Sequence, residues 1–363
     1  GIAEQKLAIM AAGAILHYLK ETEHPHLQHI HTIKSIVRDE ILWMDKFTIK
    51  NLELIGNGAD KKGLLDIMDS TKSPMGARLL KRWLVFPLQS TEQINKRLQA
   101  VENLLKNSDS ANTLASEIAS CADLERLASK LSTRKIQPRE FIQLAASLKI
   151  VAAIKNEISN SSNIYLQEIG SEISTCQSSI LTIEKTLLEQ APANTLKGGF
   201  IKEGFSTTLD ELRNISSGGK DFLTQIQNKE AENTGISSLK IGYNNVYGYY
   251  LEVTHAHKNK VPAEWIRKQT LTNAERYITP ELKVYEEKIL GAEEKIISLE
   301  LELYQNLIDQ IITAMAEIQK NGQLIATLDC LLCFAQIAKE NKYCKINIMF
   351  NKKSIFDWFI FIL

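Results

Sequence analysis

The sequence predicts a mainly α fold: a bundle of long helices, with a small α+β unit built on an antiparallel hairpin inserted at the tip of two of them. Three observations carry that expectation. Only 7 prolines and 17 glycines punctuate 363 residues, so long stretches run without a breaker. Ile297, Leu301, Tyr304, Ile308, Ile311, Met315 and Ile318 recur at alternating spacings of four and three, which is a heptad seam. Residues 191–262 differ in texture, holding glycines 198, 199, 204, 218, 219, 235, 242 and 248 beside a period-two alternation of apolar residues.

In chain order, residues 1–55 read as helix, loop and helix, with the loop around Glu23-His24-Pro25-His26. A polar turn, Gly56-Asn57-Gly58-Ala59-Asp60, precedes Leu64-Leu65-Asp66-Ile67-Met68. Ser73-Pro74 is an N-cap followed by proline at the first helical position, and Met75, Leu79, Leu80 and Trp83 follow at helical spacing. Helical patterning continues to about Leu188, with a break at Pro138. If the seam lies on one helix from Glu281 to Lys320, that helix is about 60 Å long at ~1.5 Å per residue. Such a length needs another long helix to lie against, and residues 141–190 are the expected partner. Between the arms, Leu209 to about Asn233 reads as one or two short helices around Gly218-Gly219. Lys240-Ile241-Gly242-Tyr243 and Gly248-Tyr249-Tyr250-Leu251-Glu252-Val253 read as two strands. They meet through Asn244-Asn245, and asparagine tolerates the left-handed backbone that a hairpin turn requires.

Composition narrows the function classes. Forty-three basic residues balance forty-three acidic ones, so any contact with nucleic acid comes from a local patch and not from the field of the whole molecule. From Lys240 to Ile278 six basic residues face three acidic ones, a modest local excess. Five scattered cysteines form no disulfide framework, which points to a reduced, cytoplasmic chain. No signal peptide is legible, and no uninterrupted apolar run approaches the ~20 residues of a membrane span. The first residue is Gly1 and not methionine, as in a piece of a longer protein.

Three ordered stretches resemble the MutS family of DNA mismatch-repair proteins. Asn51-Leu52-Glu53-Leu54, then Leu64 to Asp69 and Ser73-Pro74-Met75-Gly76-Ala77-Arg78-Leu79-Leu80-Lys81-Arg82-Trp83-Leu84, is similar to the signature of the family's core domain. Leu239-Lys240-Ile241-Gly242-Tyr243-Asn244 through Gly248-Tyr249-Tyr250 is similar to its clamp hairpin. Gln269-Thr270-Leu271-Thr272-Asn273-Ala274-Glu275-Arg276-Tyr277 with Thr279-Pro280-Glu281-Leu282 resembles the point where the chain leaves the clamp and re-enters the lever.

The resemblance implies an organisation: the end of a connector domain at 1–20, core and first lever arm at 21–190, clamp at 191–262, second lever arm and return to the core at 263–344, and a divergent tail at 345–363. It also implies a ring-like homodimer around duplex DNA, held by clamps that touch the backbone, with a MutL-type repair protein as a further partner. The DNA contacts it suggests are Lys240, Asn244 and Asn245 from the hairpin, and Arg267, Lys268, Gln269, Asn273 and Arg276 from the return segment. Contacts of this kind position a protein on DNA without reading sequence. The competing reading of the asparagines is a turn capping its own backbone. For Lys268 and Arg276 it is an ordinary solvated charge or an ion pair with Glu264 or Glu275, and for Tyr247, Tyr249 and Tyr250 it is packing. Arg78, Lys81 and Arg82 lie on a core helix and read as structural.

Other signals carry less. The family hydrolyses ATP through Gly-x-x-x-x-Gly-Lys-Ser/Thr, a pattern these residues lack: Gly219-Lys220 is followed by Asp221. No catalytic residue and no cofactor is therefore expected here, ATP and magnesium belonging to an ATPase domain outside the chain. The Phe-x-Glu wedge that reads mismatches is not found either. Cys330-Leu331-Leu332-Cys333 lies on an apolar stretch without two further ligands, and core packing explains it better than zinc. His24, His26, His29 and His31 have no completing carboxylates or thiols, and His255 and His257 suggest at most a weak phosphate contact. After Cys344 the chain departs from the family pattern and closes in Ile355-Phe356-Asp357-Trp358-Phe359-Ile360-Phe361-Ile362-Leu363, as a frameshifted or truncated gene would. The leading expectation is a non-enzymatic DNA-binding module. The alternatives are a helical fragment that self-associates along the seam, or a degenerate product without independent function.

Overall fold

A computed structural model describes residues 5–22, 41–56, 62–244, 246 and 248–345, leaving aside the side chains of 215, 217–222 and 285–290. The loop and histidines expected at 23–31, the polar turn at 57–60, Asn245, Tyr247 and the tail from 346 lie outside the described residues.

The helices are α1 (Lys6–Glu21), α2 (Lys46–Asn51), α3 (Leu64–Met68), α4 (Pro74–Val85), α5 (Thr91–Lys106), α6 (Ser108–Ser120) and α7 (Leu124–Ser132). They continue with α8 (Pro138–Ser159), α9 (Ile164–Glu172), α10 (Gln177–Thr186), α11 (Thr207–Thr234), α12 (Pro280–Ile312) and α13 (Met315–Asn341). The strands are β1 (Lys240–Asn244), β2 (Gly248–Thr254), β3 (Ile266–Thr270) and β4 (Ala274–Ile278). This is the mainly α fold with a small antiparallel sheet that the sequence predicts. Two compact units divide it: residues 1–184 with 307–363, and residues 185–306.

The first unit is organised on α13, which packs against α4, α5, α6 and α7. Ile318, Ile325, Leu328, Leu331 and Leu332 are buried on different sides of it, so the helix is apolar almost all round. Its mean hydropathy of 1.2 would suit a membrane span by composition, a feature that inspection for uninterrupted apolar runs misses; 67% of that window is buried inside the protein. Ser73 caps α4 as expected, its Oγ accepting from Gly76 N at 3.0 Å, and Pro138 opens α8.

Three expectations about helix length need correction. The continuous helix from Glu281 to Lys320 is broken at Thr313-Ala314 into α12 and α13. Thr313 Oγ1 donates to Gln310 O at 2.7 Å, a side-chain bond that competes with helix continuation. The expected long partner over 141–190 is three helices. Asn163 caps α9, with its Oδ1 accepting from Leu166 N at 3.0 Å, and the α9–α10 turn holds Cys176 at φ +45°. Buried Asn321 of α13 fixes that turn from both sides, accepting from Ser174 N at 3.0 Å and donating to Ser174 O at 2.8 Å. Conversely, α11 is one helix through Gly218-Gly219. Glycine costs a helix interior ~1 kcal/mol each, and burial of Leu209, Leu223 and Ile226 outweighs that.

In the second unit the sheet order is β1-β2-β4-β3, all pairs antiparallel. The expected hairpin is thus half of a four-stranded sheet. Residues 266–278, expected as a path back into a helical arm, supply β3 and β4. One sheet face packs Leu251, Val253 and Tyr277 with Trp265 against Leu223 and Ile226 of α11. Elsewhere in this unit, buried Glu300 of α12 accepts from Gly199 N at 2.6 Å and from Arg213 Nη2 at 2.6 Å.

Candidate nucleic-acid interface

The sheet gathers most of the residues suspected of touching DNA. On the face away from α11, Lys240, Glu252, Arg276 and Gln269 stand in register across β1, β2, β4 and β3. Arg276 is mostly covered: its Nε donates to Glu252 Oε2 at 3.1 Å and its Nη1 to Gln269 Oε1 at 2.8 Å. Its guanidinium also lies 4.3 Å from the Tyr250 ring centroid. Tyr250 in turn lies over Gly242, where a Cβ would come within 2.6 Å of the ring. The row therefore uses Arg276 and Gln269 to bind the strands together, with Glu252, and not Glu264 or Glu275, as the carboxylate partner.

The opposite polarity prevails at β3. A register shift between Arg267 and Gln269 leaves Lys268 as the extra residue of a bulge, and it is exposed. Arg267 is exposed too, with Nη1 3.5 Å from Glu275 Oε1. Glu275 is almost completely covered, and Lys258, from the 3-10 turn His255–Lys260, reaches it at 2.8 Å. Tyr277 Oη donates to its second oxygen. The hydrogen bond from Lys258, with that from Tyr277, holds the Glu275 carboxyl at about 2, below the ordinary 4.5. Burial, with the Glu275 bond, pushes the Tyr277 phenol up to about 12.

The hairpin residues divide. Lys240 is exposed at the sheet edge. Asn244 Oδ1 accepts from Val246 N at 2.8 Å, so this side chain caps its own turn. Asn273 is exposed, and its carbonyl accepts from His255 N at 3.2 Å. His255 Nε2 lies 3.0 Å from Leu271 O. Tyr249 packs edge-on to Tyr243 with centroids 5.0 Å apart. Lys240, Arg267, Lys268 and Asn273 thus remain presented outward, while Arg276, Gln269 and Asn244 are committed within the unit. Glu252 and Lys258 escaped the sequence reading as partners, and Glu275, expected against Lys268 or Arg276, pairs with Lys258 and Arg267, because cross-strand register is not legible in a single strand.

The other candidates fall into the fabric of the first unit. Arg78 pairs with Asp123 at 2.8 Å and with Glu125 at 2.7 Å. Cys330 Sγ donates to Gly76 O at 3.4 Å and Cys333 Sγ to Met68 O at 3.0 Å. Burial pushes both thiols up, Cys333 to about 11. Among the described residues no group of three His, Cys, Asp or Glu side chains could hold a metal.

Comparison with known proteins accounts for this arrangement. The sequence model of MutS domain III matches residues 47–335. The chain is 50% identical over 349 residues to the DNA mismatch repair protein MutS of Christiangramia forsetii, covering 96% of this chain and 40% of that protein. It is 49% identical over 346 residues to the protein of the same name from Bacteroides thetaiotaomicron, covering 95% and 40%. With that of Flavobacterium johnsoniae it shares 49% over 344 residues, covering 94% and 40%. The chain thus spans about two fifths of the length of the relatives it matches. A helical core built on α13, a four-stranded sheet carrying the hairpin signature and this domain match together place the chain in the MutS family, as a segment containing domain III.

Proposed function

We propose that the chain is the DNA-holding part of a MutS-type mismatch-repair protein, not catalytic by itself, whose small sheet grips duplex backbone without reading sequence. The observation that carries this reading is the exposed basic edge of the sheet: Arg267, with Lys268 extruded beside it by the bulge, and Lys240 at the far edge. Side chains on a curved, bulged edge can follow a phosphate ridge, and a neutral chain needs such a local patch to bind DNA at all. The relatives are DNA mismatch repair proteins by name, which agrees with this role. The remaining family properties are proposals on the same footing: homodimerisation around DNA, a MutL-type partner, and long helices transmitting strain to an ATPase domain that binds ATP and magnesium.

Self-association along the seam is less well supported. Tyr304, Ile308, Ile311, Met315 and Ile318 are buried within the chain itself, which leaves the Ile297 and Leu301 end of that stripe exposed and most of it without a face to offer a second copy.

Fluorescence anisotropy with a labelled duplex tests the reading. Affinity should fall as salt rises, because each neutralised phosphate releases counterions and steepens the logarithmic slope by about one. The joint change of Lys240, Arg267 and Lys268 to alanine should flatten the slope by about two to three. Binding that is undetectable at low salt, or indifferent to the triple change, sinks the proposal. A preference for mismatched over matched duplex would also contradict it, since no mismatch-reading wedge is present in the sequence.

A further inference from the structure

Helix α5 carries two apolar stripes. Ala100 and Leu104 are buried, while Ile94, Leu98, Val101 and Leu105 recur at spacings of four, three and four and stay partly exposed. At roughly 100° per residue, this second stripe is flanked by Arg97 on one side and Glu102 on the other. Together with Trp83 of α4 and Phe334 of α13 it lines a groove of ≈ 330 Å³ in the first unit. Small-molecule sites span roughly 300–1,000 Å³ and are likewise apolar with a few polar groups that fix the ligand.

The charged residues of the groove are Arg97, Glu102 and Lys345. Glu102 accepts from Lys106 Nζ at 2.7 Å and from Lys345 Nζ at 2.8 Å. Those two bonds hold its carboxyl at about 2, below the ordinary 4.5. Arg97 has no such balance. Its guanidinium lies 3.5 Å from the Trp83 ring centroid, with the Tyr165 hydroxyl beside it, and no carboxylate reaches it among the described residues. Burial pulls its pKa below the ordinary arginine value, against the opposing pull of Tyr165. Arg78 on α4 shows the contrast, since two carboxylates hold it. The groove therefore keeps one unbalanced positive charge against an apolar wall.

We propose that this groove binds a small aromatic carboxylate, its rings lying along Leu98, Val101 and Phe334 and its carboxylate on the Arg97 guanidinium. A guanidinium stacked on a ring still presents its planar N–H fork, which matches the two oxygens of a carboxylate. A rigid ring system suits the aromatic wall and loses little freedom on binding.

Isothermal titration calorimetry on the full chain compares naphthalene-2-carboxylate with the neutral naphthalene-2-carboxamide. One carboxylate should bind per chain, about ten-fold or more tightly than the amide, which lacks the charged hydrogen bond. Decanoate, with the same charge on a flexible body, should bind more weakly than the naphthoate. Arg97→Met keeps an apolar stem against Trp83 and should erase the preference for the anion. Val101→Trp fills the groove and should abolish binding of both ring ligands. The comparison of anion with amide on the parent chain needs no variant, so it stands even where a substitution disturbs folding. No binding to the parent overturns the proposal, as do equal affinities for anion and amide. A preference that survives Arg97→Met, or binding that Val101→Trp leaves unchanged, puts the ligand elsewhere and overturns it too. Decanoate binding as tightly as the naphthoate overturns the aromatic assignment. Binding that appears only when dimers are diluted apart, followed by light scattering, assigns the groove to a second copy and equally overturns it.

Discussion

Arg276 of β4 donates to Glu252 of β2 at 3.1 Å while its guanidinium covers the ring of Tyr250, so a residue suspected of holding DNA instead ties the strands of the sheet together. A mostly covered arginine with a carboxylate, an amide and an aromatic face already engaged has little left to offer a phosphate.

The first prediction follows from that contact. Arg276→Ala should destabilise the sheet-bearing unit by about 1–3 kcal/mol, through the loss of a charged hydrogen bond and a stacked face. The salt slope of DNA binding should remain near its parent value, unlike that of Lys268→Ala. Urea unfolding beside anisotropy titration separates the two effects. A lowered slope with unchanged stability would return Arg276 to the interface.

Gly242 makes a related test. A Cβ there meets Tyr250 Cζ at 2.6 Å, so Gly242→Ala must push the ring out from beneath Arg276. A cost of about 1–3 kcal/mol is expected from overpacking. It should shrink when Tyr250 is first changed to Leu, measured by the same unfolding midpoints.

Acid should weaken the second unit through Glu275. Its carboxyl is held at about 2 by Lys258 and Tyr277, below the 4.5 it would regain on unfolding. A depressed folded value contributes stability that is complete above 4.5 and disappears as pH falls from 4.5 towards 2. Urea midpoints should therefore drop across that window in the parent. In Glu275→Gln, which is weakened already at pH 7, the drop should be smaller. Identical pH profiles would refute the assignment.

In the first unit, Asp329 of α13 accepts from Lys72 N at 2.8 Å, from Ser73 N at 2.8 Å and from Ser73 Oγ at 2.7 Å, pinning the cap of α4. Asp329→Ala should cost about 3 kcal/mol by stranding buried donors. A Cβ on Gly76 would sit 2.1 Å from Asp329 Oδ2. Gly76→Ala should therefore be comparably damaging alone and far less so on top of Asp329→Ala. A double-mutant cycle by thermal unfolding measures this coupling, and strict additivity would rule it out.

The sequence by itself determined the helical class, the cap at Ser73-Pro74, the opening of α8 at Pro138, the hairpin of β1 and β2 and the basic excess of the region around it. Each rests on local rules: periodicity, the fixed φ of proline, side-chain capping and charge. Tertiary structure decided what those rules cannot reach. The apparent 281–320 helix divides at Thr313-Ala314, where a hydroxyl turns back on its own backbone. The 141–190 arm divides where Asn321, more than a hundred residues away in sequence, satisfies both backbone groups of Ser174. α11 survives two interior glycines because its buried face outweighs their cost. Which basic residues stay presented to solvent was likewise set by strand register. Pairing β2 with β4 brought Glu252 to Arg276, and the bulge in β3 turned Lys268 outward; no single strand encodes such a register, because the partners meet only when the sheet closes.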